Sequence, residues 1–65
     1  GMLQMIMKLN DVAAEALAGG ATVDDILGNP VIEKVNRARY VPEDEFEAYK
    51  ADTIAQLDQG LAVAA

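Results

Sequence analysis

The chain has 65 residues, 52% of them hydrophobic, with 11 acidic and 5 basic side chains and a formal net charge of −6. That length allows one domain at most, and a domain this small buries only about 60% of the surface its unfolded chain exposes. Without cysteine no disulfide can help, and without histidine zinc would have to bind carboxylates alone. Serine is absent too, so neither a Ser–His nor a Cys–His nucleophile pair can be built. The acidic balance opposes nucleic acid and anionic membrane, and no apolar run approaches the roughly 20 residues of a membrane span.

Gly1, ahead of Met2, reads as a remnant of tag removal and is left out of the fold argument. Residues 2–9 are apolar-rich, but Gln4 and Lys8 interrupt them and no basic leader precedes them, so they do not read as a signal peptide. Met2 to Ala18 reads as the first helix. Leu3, Ile6, Met7, Asn10, Ala14 and Leu17 recur at three- and four-residue spacing. A second row, Met5, Leu9, Val12, Ala13 and Ala16, widens the stripe and implies burial on more than one side. Gly19 and Gly20 end the helix.

Thr22 is a good N-cap for a turn or two from Val23 to Leu27. Asp25 is placed to imitate a capping box, and Ile26 and Leu27 are expected to face inward. Gly28 stops this segment. Asn29 and Pro30 start a third helix with a narrow apolar face, Val31, Ile32, Val35 and Ala38. Glu33 and Arg37 sit four apart in the favourable order for an ion pair. Pro42 pushes Val41 extended, so this helix ends by Arg39 or Tyr40. Pro42 then opens a fourth helix whose first turn holds Glu43, Asp44 and Glu45, where the dipole favours negative charge. Phe46, Tyr49, Thr53, Ile54 and Leu57 form its face, Gly60 caps it, and residues 61–65 are expected to fray. The predicted architecture is all-α, a small helical bundle of two longer helices flanking two short ones, each outer helix roughly 25 Å long.

Few residues carry chemistry. Lys34, Arg37 and Arg39 could grip phosphate, and the Gly28-Asn29-Pro30 corner loosely imitates a helix-turn-helix. A solvated helix face is the plainer reading, and the net charge of −6 favours it. A protein interface over Lys34, Arg37, Arg39 and Tyr40 fits better than DNA binding, since Arg and Tyr are enriched at binding hot spots. The acids Glu43, Asp44, Glu45 and Glu47 lack the loop spacing of an EF-hand and read as a dipole-matched helix start. Met2, Met5 and Met7 read as core filler, and Phe46 and Tyr49 as core with the Tyr49 hydroxyl at an edge. Gly19-Gly20 lacks the Lys-Ser/Thr of a phosphate-binding loop. No catalytic, metal or cofactor residue is expected.

The order of these elements matches a pattern of motifs. Met2-Leu3 with Ile6 fits an apolar helix of the "MLxxIL" kind, and Glu15-Ala16-Leu17 an "EAL" segment. Ile26-Leu27 with Pro30-Val31 fits an "ILxLPV" step. Val35, Arg37, Tyr40, Pro42-Glu43-Asp44 and Phe46 fit "IxRxxYxPEDxF" before an acidic helix. Over residues 2–59 the chain resembles the C-terminal end of the catalytic A subunit of archaeal-type and vacuolar-type rotary ATPases. It departs from them where Asn10 and several alanines replace charge in the first helix, and where Gly28-Asn29 replaces a more helical step.

The resemblance implies a helical structural and coupling segment of a much larger subunit, with no catalytic site of its own. ATP and magnesium would bind upstream in that subunit. Partners would be its upstream domains, the noncatalytic B subunit and the central stalk, on the cytoplasmic side and peripheral to the membrane. The wide stripe on the first helix would then meet upstream helices, and the isolated chain would tend to self-associate. A free-standing helical interaction module remains the alternative, with a DNA-binding helix-turn-helix behind it.

Overall fold

The computed structural model describes residues 1–61. Its elements are α1 (Met2–Ala18), α2 (Val23–Leu27), α3 (Pro30–Arg37), a 3-10 turn (Ala38–Tyr40) and α4 (Glu43–Asp58). No strand occurs among the described residues. The architecture is the expected all-α bundle, two long helices and two short ones, with α1 and α3 both packed on α4.

Local chemistry sets each boundary. Gly20, at φ 104°, takes the left-handed conformation after α1. Its N–H then donates to the Leu17 carbonyl, and the Ala21 N–H to that of Ala16, closing a Schellman motif. At α2 the capping box forms in full: the Asp25 N–H donates to Thr22 Oγ1 at 3.1 Å, and the Thr22 N–H to Asp25 Oδ2 at 2.9 Å. Asn29 Oδ1 accepts from the Val31 N–H at 3.0 Å, with Pro30 in the first helical position. Val41 is extended before Pro42, as expected, at φ −79° and ψ 132°. Helix α1 starts without a side-chain cap and has no acid in its first turn and no base in its last.

The core joins Val12, Ile26, Ile32, Val35, Leu57 and Leu61, with Met5, Ala38 and Thr53 also buried. Thr53 is fully buried, and its hydroxyl donates to the Tyr49 carbonyl at 2.7 Å, so burial leaves no unmet donor there.

Five expectations need correction. Leu61 does not fray: Gly60, at φ 83°, reverses the chain and returns Leu61 to the core. Residues 62–65, the rest of the expected frayed end, lie outside the described residues. Leu27 is 66% exposed, because α2 has only five residues and the inward side of one turn is filled by Ile26. Of the three methionines expected in the core, only Met5 is fully buried, while Met2 is half-buried and Met7 exposed. Phe46 and Tyr49 are half-buried at the rim.

The fifth correction concerns α1. The row Met5, Leu9, Val12, Ala13, Ala16 faces the core, whereas Leu3, Ile6, Met7, Asn10, Ala14 and Leu17 are all exposed. The bundle measures 38 × 17 × 16 Å. Helices pack with axes about 8–10 Å apart, so such a cross-section holds about two helices each way and cannot enclose α1 on both sides.

Candidate functional site

The four residues expected to form an interface divide into two groups. Lys34 belongs to the packing of α3 on α4. Its ammonium pairs with the Asp52 carboxylate and lies 5.4 Å from the centre of the Tyr49 ring. The Tyr49 hydroxyl in turn donates to the Lys34 carbonyl at 2.7 Å.

Arg37, Arg39 and Tyr40 instead form an exposed corner where α3 tightens into the 3-10 turn. The Arg37 guanidinium pairs with Glu33 at 2.6 Å, as its spacing predicts. The Arg39 guanidinium lies 5.8 Å from the centre of the Tyr40 ring, and Tyr40 is 79% exposed. A shallow groove of about 200 Å³, lined by Pro30, Glu33, Lys34, Arg37 and Tyr49, runs along the same side.

The electrostatics leave little cationic surface. Lys8 pairs with Asp58 at 2.5 Å and Lys50 with Glu47 at 3.2 Å, so four of the five basic side chains are matched to carboxylates. The hydrogen bond that Lys8 donates to Asp58, then the charge of that carboxylate, raises the Lys8 pKa above the ordinary lysine value. At α2 the Thr22 backbone N–H, then its hydroxyl, lower that of Asp25. The first-turn acids of α4 belong to no group of three or more ligands able to hold a metal ion among the described residues. No helix there is long and apolar enough to cross a membrane.

The sequence did not distinguish the packed row of α1 from the exposed one, since both are apolar. The polar residues Gln4, Lys8, Asp11 and Glu15 occupy a single stripe at spacings of four, three and four. That stripe marks α1 as apolar on both remaining sides. Only the packing on α4 reveals which side is left open.

Comparison with known proteins gives one consistent direction. Over 51 residues the chain is 39% identical to the A subunit of the A-type ATP synthase of Methanosphaera stadtmanae, covering 78% of this chain and 9% of that protein. Over 61 residues it is 33% identical to the V-type ATP synthase alpha chain of Clostridioides difficile, covering 94% of this chain and 10% of that one. The chain is similar to ATP synthase A subunits. It spans about a tenth of the length of these relatives. No family model and no solved structure matches it.

Proposed function

We propose that the chain is the C-terminal structural and coupling segment of the A subunit of a V/A-type ATP synthase. The similarity of 33% over 94% of the chain to an ATP synthase alpha chain carries this reading. The parent subunit would bind ATP and magnesium in domains outside this chain. The ring it forms with the noncatalytic B subunit would couple ATP hydrolysis or synthesis to rotation of a central stalk and to proton or sodium transport. On this reading the segment lies on the cytoplasmic side, peripheral to the membrane. It acts as a stiff helical lever on the upstream domains and carries no catalytic residue. Arg37, Arg39 and Tyr40 offer contacts to neighbouring subunits, being exposed together at one corner. Lys34 stands apart from that corner, its ammonium engaged by Asp52.

An antibody against the chain, used on a denaturing blot of host lysate and membranes, tests the proposal. A band far larger than 6.9 kDa, partly on membranes, is expected. A wholly soluble band at the size of the chain would sink it. The free-standing interaction module would then take its place, a reading favoured by the exposed apolar face of α1.

A further inference from the structure

The exposed row of α1 has an internal order. Leu3 and Leu17 stand seven residues on either side of Asn10. The N-terminal half carries large side chains, Leu3 at 69% exposure, Ile6 at 40% and Met7 at 59%. The C-terminal half carries the small Ala14 and then Leu17 at 45%. No charged residue interrupts the row. The nearest polar stripe, with Lys8, Asp11 and Glu15, runs along one flank.

From this order we infer that the face binds a second copy of the chain, α1 against α1, antiparallel about a two-fold axis near Asn10. Antiparallel packing sets the bulky half of each helix on the small half of the other, whereas parallel packing crowds Met7 on Met7 and leaves Ala14 facing Ala14. It also opposes the two helix dipoles favourably. Near the axis, the Asn10 amide meets its own copy. A primary amide carries both a donor and an acceptor, so the pair satisfies itself. A single polar residue in an apolar seam is a known means of fixing register. Covering both faces buries on the order of 1,000 Å² in total, near the lower bound of specific interfaces, so the dimer is reversible. The inference concerns the 65-residue chain itself and does not rest on the ATP synthase reading.

Sedimentation equilibrium of the chain from about 10 μM to about 1 mM brackets the affinity expected of such an interface. A mass rising to twice 6.9 kDa is expected, and a monomer throughout overturns the proposal. Association should tighten with added salt, which screens two chains of net charge −6 from each other. Met7→Glu should retain its helical circular dichroism and lose the dimer; a Met7→Glu dimer of unchanged affinity rules this face out. Orientation is read by mixing Leu3→Cys and Leu17→Cys chains, since the protein has no cysteine of its own. Mixed disulfides, joining one chain of each variant, are expected. Parallel helices would hold those two positions roughly 21 Å apart, beyond disulfide reach. They would join Leu3→Cys chains only to one another, and that product overturns the antiparallel geometry.

Discussion

Tyr49 and Lys34 hold each other twice. The Tyr49 hydroxyl donates to the Lys34 carbonyl at 2.7 Å, and the Lys34 ammonium lies 5.4 Å from the Tyr49 ring. The carbonyl is available because the chain tightens at Ala38, whose N–H donates to Val35 rather than to Lys34. A side chain of α4 thus supplies the partner that the end of α3 gives up.

Tyr49→Phe keeps the ring and removes the donor. Losing one such hydrogen bond costs about 1 kcal/mol. In a domain this small that lowers the melting temperature by about 4–8 °C, readable by circular dichroism. An unchanged melting temperature would mean that water replaces the hydroxyl without loss.

Met5 and Met7 are two residues apart and should behave oppositely. Met5 is fully buried, so Met5→Ala leaves a cavity and costs about 2–5 kcal/mol, enough to unfold much of a marginal domain. Met7→Ala should leave the stability of the monomer within about 0.5 kcal/mol of the original. Urea titration at concentrations low enough to keep the chain monomeric compares the two.

At the end of α4, no atom lies within 4 Å of where a Cβ on Gly60 would sit, so Gly60→Ala pays only for its left-handed backbone, about 1 kcal/mol. Leu61→Ala should cost about 2 kcal/mol, since that side chain packs in the core. If Leu61→Ala were neutral in thermal melts, the return of the chain after Gly60 would contribute nothing to stability.

The capping box predicts an acid limb. Hydrogen bonds from Thr22 hold the Asp25 pKa below its ordinary value of 3.8. The folded state therefore binds this proton less readily than the unfolded one. The contribution of Asp25 is present above pH 3.8 and is lost as pH falls below it through the depressed folded value. Lys8 works in the opposite sense: its raised pKa gives a contribution present below pH 10.5 and lost as pH climbs past it. A carboxyl NMR titration should find Asp25 still ionised below its ordinary 3.8. Thr22→Ala removes the hydroxyl but keeps the backbone N–H, so it should bring Asp25 only part of the way back toward 3.8.

Helix ends were the most legible part of the sequence, because a cap needs only a few neighbouring residues. Thr22 with Asp25, Asn29 with Pro30, and Val41 before Pro42 all behave as their local chemistry dictates. The face of α4 was legible as well, with Thr53 and Leu57 at its centre and Phe46, Tyr49 and Ile54 at its rim. The orientation of α1 was not, because two apolar rows satisfy the same periodicity and the choice depends on α4, which begins only at Glu43. Leu61 was missed for a similar reason: a glycine marks the end of a helix but not the direction the chain takes afterwards. The partners of Lys34, Asp52 and Tyr49, were not legible in the sequence because they lie on another helix.

The uncapped start of α1 has a kinetic consequence. Every other helix either begins with a side-chain cap or carries acids in its first turn, so its first turn has local support. Helix α1 has neither and owes the order of its first turns to lateral packing. During folding, the α3–α4 pair can close around its own clasp before α1 lies down on it. In the native protein, amide exchange should then run inward from Leu3, ahead of any exchange at Val35 or Thr53.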